Sequence, residues 1–149
     1  MAGDDLAIKK YWPWVTWTYR GLETGAYAMI RVSTGLVIAT HGVARLFILD
    51  PAFGFTKYVS ALPPAGVGWL ELAGGLMLAF GLLTRPVALL LAIEWFLFTL
   101  GHVPTGRPQS WLMLGAIDHY PAMLTALNLA FLFRGGGRWS LDRAIGREF

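Results

Sequence analysis

The chain has 149 residues, 56% of them hydrophobic and 14% charged, with a net charge of +3 and no cysteine. A soluble domain of this length carries about 25% charged residues, and the absence of thiols excludes disulfides, thiolate-held iron–sulfur clusters and cysteine nucleophiles. The apolar residues gather in four stretches separated by segments rich in Pro, Gly and charge, which predicts a membrane protein. The basic residues sit beside those stretches rather than in one patch, so they speak for topology and against nucleic acid as a partner.

In chain order, residues 1–24 read as a cytoplasmic, interfacial segment. Tyr11, Trp12, Trp14, Trp17 and Tyr19 place large aromatics with polar edges just before the first apolar stretch, a composition suited to the membrane–water boundary. Asp4, Asp5, Lys9 and Lys10 leave no apolar core for a cleavable signal, so the first span is expected to be retained. Residues 25–133 are expected to form the transmembrane domain. Its spans run approximately from Gly25 to Leu49, Val67 to Leu83, Pro86 to His102 and Asp118 to Phe133, near the ~17–25 residues that cross hydrocarbon. Only Thr84-Arg85 separates the second span from the third, which predicts a tight antiparallel hairpin with Pro86 at a helix start. Residues 134–149 form a basic cytoplasmic tail, with Gly135 to Gly137 ending the fourth helix.

The resulting fold class is all-α, a transmembrane four-helix bundle with an aromatic interfacial N-terminal segment. With both termini in the cytoplasm, that side holds Lys9, Lys10, Arg20, Arg85, Arg134, Arg138, Arg143 and Arg147, against Lys57 and Arg107 opposite. This asymmetry predicts a multi-pass protein of a bacterial-type inner membrane with both ends inside. Small residues four apart recur in every span: Gly35 and Ala39, Gly75 and Ala79, Ala88 and Ala92, and Ala122, Ala126 and Ala130. Such pairs allow close helix approach in lipid.

Charged side chains inside a bilayer are costly unless paired or wetted, so those within the spans carry the functional signal. Arg31, His41, Arg45, Glu71, Glu94 and Asn128 form the expected polar core. Arg31, Gly35, Ile38, Gly42 and Arg45 fall within roughly 80° of one another on the first span, which should turn that face inward. Counted at about 1.5 Å per residue, Arg45 and Glu71 lie roughly 6 Å deep and His41 and Glu94 roughly 12 Å deep. Two acid–base pairs follow, and Arg31 falls level with Asn128. These ions either fix helix register or build a polar pocket. In the second case His41 and Glu94, with His102, Asp118 and His119, are placed to hold a quinone headgroup or pass protons. Three His without tight ligand spacing give no metal pattern.

Three groups of residues together resemble the DoxX family of small four-helix membrane proteins. They are Arg31 with His41-Gly42 and a basic Arg45; Glu71-Leu-Ala-Gly-Gly75 running into Gly81-Leu-Leu-Thr-Arg85; and Gly135-Gly-Gly-Arg-Trp-Ser-Leu-Asp142. Arg45 stands where Lys is more typical of the family, and the aromatic N-terminal segment is an addition. The resemblance implies a link to quinone-dependent redox chemistry, as in membrane subunits of quinone-reducing complexes, without a catalytic residue set to carry over.

With no cofactor motif of its own, the chain is expected not to catalyse alone. It reads as a membrane subunit of a quinone-linked electron-transfer complex, a subunit of a quinone-dependent oxidoreductase that provides a polar pocket or channel. Its expected ligands are quinone or lipid, none held covalently, and its expected partners are the lipid bilayer and a larger membrane redox complex, with homo-oligomerisation left open. Two rival readings are an accessory subunit packed against a respiratory or photosynthetic complex, and a small transporter or proton path built on Glu94 and His41.

Overall fold

A computed structural model describes residues 13–48, 63–101 and 120–146. Within them the chain is helical, with no strand. Helix α1 spans Pro13–Val43 and winds on as a π-helical segment over Ala44–Ile48; α2 spans Pro64–Phe80, α3 Thr84–Gly101 and α4 Tyr120–Arg134; α5 is a single turn, Leu141–Ala144. The four expected apolar stretches are therefore the four long helices. Two boundaries differ from the sequence reading. α1 begins twelve residues before Gly25, at a proline whose fixed φ suits a first helical position. α3 begins at Thr84, so the turn after α2 is Gly81 to Leu83.

Among the described residues no helix is long and apolar enough to cross a membrane. At about 1.5 Å per residue, the 17 residues of α2 and the 15 of α4 reach about 26 and 22 Å against a hydrocarbon thickness of about 30 Å. In α1, Arg31, Ser33, Thr34, Thr40 and His41 dilute the apolar run.

The helices associate as two tight pairs, α1 with α2 and α3 with α4; α2 also adjoins α3, and α1 meets α4 only slightly. The first pair is a contact of backbones. A methyl group on Gly35 would lie 2.5 Å from the Gly75 carbonyl oxygen and 2.6 Å from the Ala79 nitrogen, and one on Gly75 would meet the Ala39 nitrogen at 2.6 Å. Farther along, Gly42 lies against Leu72 and the Gly68 carbonyl. Small side chains are what let the axes come this close. The expected inward stripe is present, with Arg31, Gly35, Ile38 and Gly42 all buried. Ala88 and Ala92 are buried as well, whereas Ala122, Ala126 and Ala130 face outward and join no helix seam among the described residues. Ile38, Leu78, Val87, Ala88, Leu91, Trp95, Leu124 and Phe131 form the apolar core between the pairs.

One end of the bundle is closed by the segment after α4. Gly135 leaves the helix at φ 76° and Gly137 turns again at φ 74°, angles that favour glycine. The chain then runs back across the α2–α3 turn. Asp142 accepts hydrogen bonds from the backbone N–H groups of Leu83 (2.7 Å) and Thr84 (2.9 Å) and from the Thr84 hydroxyl (2.8 Å). Its own N–H donates to the Gly81 carbonyl at 2.9 Å. A carboxylate from 58 residues away thus caps the start of α3, where N–H groups lack intrahelical acceptors and the helix dipole favours negative charge. Arg31 donates to the carbonyls of Gly136, Trp139 (2.7 Å) and Ala79 (3.5 Å), and the Tyr27 hydroxyl donates to Gly135 at 2.5 Å. At the rim, Arg134 pairs with Glu23 and lies over the Tyr27 ring.

Candidate functional site

Toward the opposite end, the seam between the two helix pairs is lined by ionisable and aromatic side chains. Arg45 projects from the π-helical segment and meets Glu71 of α2 with two hydrogen bonds, Nε to Oε2 at 2.9 Å and a terminal nitrogen to Oε1 at 3.1 Å. Glu71 is 0% exposed, so this forked geometry supplies the compensation that a buried carboxylate requires. π-Helical turns are rare and occur frequently at functional sites. The Arg45 guanidinium also sits 5.4 Å from the Phe98 ring centre.

Glu94, one helix away on α3, has no such arrangement. It is 5% exposed, and both carboxyl oxygens lack a hydrogen-bond partner among the described residues. It lies within electrostatic range of Glu71 and Arg45. Next to it the buried Trp95 indole N–H is also without a partner among those residues. A buried polar atom left unmatched costs about 1–3 kcal/mol, so two unmatched residues side by side mark a place that folding alone does not explain.

The expected pairing of His41 with Glu94 is not formed. His41 Nδ1 instead sits 2.8 Å from the Val37 carbonyl of its own helix. Its ring stacks on Tyr120 at 5.4 Å between centres and meets the edge of Trp95 at 5.5 Å. Trp95 in turn stands edge-on to Tyr120 and beside Phe98. Matched depth put His41 and Glu94 at one level, but the local carbonyl and the neighbouring rings satisfy the imidazole without the acid.

Arg31 and Asn128 also do not pair. Arg31 is 2% exposed and turns to the carbonyls of the closed end, while the Asn128 amide donates to Leu124, one turn back on its own helix, at 2.8 Å. Of the six polar-core residues, the structure gathers Arg45, Glu71, Glu94 and His41 around one seam, and places Arg31 with the closing segment. His102, Asp118 and His119 lie outside the described residues. Trp95 and Tyr120 were not singled out from the sequence, where they are two aromatics among many; only their helical offsets from Glu94 and the fourth stretch could have pointed to them. Among the described residues no group of three His, Asp or Glu could hold a metal ion.

This arrangement sets an aromatic wall, an ion pair, and two carboxyl oxygens and one indole N–H that are unmatched among the described residues along one seam. The chain is 28% identical over 104 residues to "Putative oxidoreductase CatD" of Bacillus subtilis (strain 168), an alignment covering 68% of this chain and 75% of that protein. No solved structure matches it. The DoxX family model matches residues 26–102, which include Arg31, His41, Arg45, Glu71 and Glu94 but not the closing segment. With more than half of its length matched, the chain belongs to the DoxX family.

Proposed function

We propose that the protein is a multi-pass subunit of a quinone-linked electron-transfer assembly in a bacterial-type cytoplasmic membrane. In this reading the seam of His41, Glu94, Trp95 and Tyr120 holds a quinone headgroup, and a partner carries the redox centre. The observation that carries it is the unmatched, buried Glu94 carboxyl beside an aromatic wall. A ring with oxygen at its edges fits both features, as small-molecule sites combine apolar lining with a few placed polar groups.

The membrane setting is supported by an inverted distribution of polarity. Arg31, Glu71, Glu94, Asn128 and Asp142 are buried, while Met29, Ile30, Leu36, Leu89, Leu90, Ile93, Phe96 and Leu100 are exposed around the bundle. Water-facing surfaces rarely carry large apolar patches, and in membranes ionisable residues turn to the bundle interior. The oxidoreductase name of the Bacillus subtilis relative supports the redox setting.

Purification of the full chain from membranes in mild detergent tests the reading. Extracted quinone should co-purify and should be lost when Glu94 is replaced by Leu or His41 by Ala. A chain that partitions into the aqueous fraction, or that carries no quinone from quinone-replete membranes, would sink it. A stoichiometric partner complex that survives both substitutions and holds no quinone would favour the accessory-subunit reading.

A further inference from the structure

Resting on the reading of the chain as a membrane protein, we propose that the outer side of the closing segment, residues 138–145, binds the headgroups of anionic phospholipids. The segment has two sides. Ser140 and Asp142 are buried, with Asp142 committed to Leu83 and Thr84 at the start of α3. Arg138, Trp139, Leu141, Arg143 and Ile145 are exposed. The inward contacts therefore fix which side chains look outward, and these mix guanidinium groups with large apolar ones.

Water suits neither Trp139 nor Ile145, and hydrocarbon suits neither Arg. The boundary between the two suits them all, with tryptophan at headgroup level and the Arg stems lying along the acyl chains. The apolar belt runs up to this segment, since Phe80 at the end of α2 and Phe133 near the end of α4 are exposed. Charge selects the kind of lipid. Among the described residues the acids are Glu23, Glu71, Glu94 and Asp142; the last three are buried, and Glu23 pairs with Arg134. Arg138 and Arg143 meet no carboxylate among those residues. Arg85, whose guanidinium adjoins Gly135, stands exposed at the same end. The surface there is positive, so it draws a headgroup of net negative charge more strongly than a zwitterionic one. A protein partner needs a wider face, since a stable interface takes roughly 20–30 residues a side, whereas a single Arg fork holds a phosphate.

The full chain in mild non-ionic detergent is loaded with equal amounts of phosphatidylglycerol and phosphatidylcholine, and the retained lipid is counted by native mass spectrometry. At low salt phosphatidylglycerol should be favoured about tenfold, since each Arg near a headgroup contributes about fivefold and neighbouring contributions do not add fully. Replacing Arg138 and Arg143 together by Gln should cut that ratio about fivefold and leave the melting temperature unchanged, because both side chains are exposed. Trp139→Ala should weaken retention of both lipids alike and keep the ratio. Equal retention of the two lipids by the unaltered chain overturns the proposal and leaves the membrane reading standing. So does a preference that the double variant keeps, which belongs to other basic residues. Loss of a co-purifying protein from the double variant at an unchanged lipid ratio makes the face a protein interface and also overturns it. A chain that retains neither lipid overturns the proposal, and one that also stays soluble without detergent overturns the membrane reading with it.

Discussion

The two ends of the bundle treat buried polar groups differently. At the closed end, Asp142 takes three hydrogen bonds from Leu83 and Thr84, and Tyr27 and the terminal nitrogens of Arg31 find carbonyls of the segment after α4, leaving Arg31 Nε as the unmatched atom there among the described residues. At the open end Glu71 is matched by Arg45, yet Glu94 and Trp95 between them leave three buried atoms unmatched among the described residues. Stability concentrated in one region lets another hold groups that folding would otherwise eliminate, and such local violations are where function is expected. The closed end thus reads as a clamp and the open end as a site.

Breaking the clamp should have the largest effect. Asp142→Ala strands two backbone N–H groups and a hydroxyl in a region where Asp142 is 2% exposed. Bonds to a charged acceptor contribute about 1.5–3 kcal/mol each and do not add fully, so a loss of about 5 kcal/mol is expected. Thermal unfolding in detergent reads it directly. Asp142→Asn, which keeps an acceptor oxygen, should lose less. An unchanged melting temperature for Asp142→Ala would remove the contrast between the ends.

The Arg45–Glu71 pair comes next. Arg45→Gln leaves the buried Glu71 without its countercharge, a loss of about 3–4 kcal/mol, Glu71→Gln at the half-buried Arg45 should lose less, and the double change should fall well short of the sum. Strict additivity would mean that the two side chains meet without depending on each other.

How far the sequence discloses these two ends differs for a physical reason. Helical spacing turns Arg31, Gly35, Ile38, Gly42 and Arg45 onto one face, and rise per residue brings Arg45 level with Glu71, because both quantities are local and regular. The clamp is neither. Arg31 ends on backbone carbonyls, which every residue possesses and no motif advertises, whereas helical depth alone points to the Asn128 side chain. Asp142 reaches its donors across 58 positions, a contact that glycine angles at 135 and 137 make and that periodicity cannot foresee. The open end was half legible. Glu94 and His41 stand out as ionisable groups in apolar runs, but the rings that occupy His41 are indistinguishable in sequence from the aromatics that line any membrane helix.

The close packing of α1 on α2 joins the two ends and yields a smaller effect. Gly35→Ala sets a methyl group 2.5 Å from the Gly75 carbonyl oxygen. That atom is backbone and cannot swing aside, so the helices must separate, at about 1–3 kcal/mol as for other overpacked sites. Ala122→Leu, on the outward face of α4, should cost almost nothing, and the pair of melting temperatures separates a true seam from a small-residue pattern that only resembles one.

Among the buried positions, the smallest stability effect is expected where the chemistry is most exposed to change. Glu71→Gln and Glu94→Gln are the same substitution at two buried carboxyls of one seam, 0% and 5% exposed. At Glu71 the amide cannot keep both bonds to Arg45, and the pair loses its negative charge. At Glu94 no partner among the described residues is lost, so the change should stay within about 1 kcal/mol, since removing an unmatched group forfeits no bond. The same variant should nevertheless alter ring binding. Equal destabilisation by the two substitutions would make Glu94 another structural ion, and the open end would then be a second clamp rather than a site.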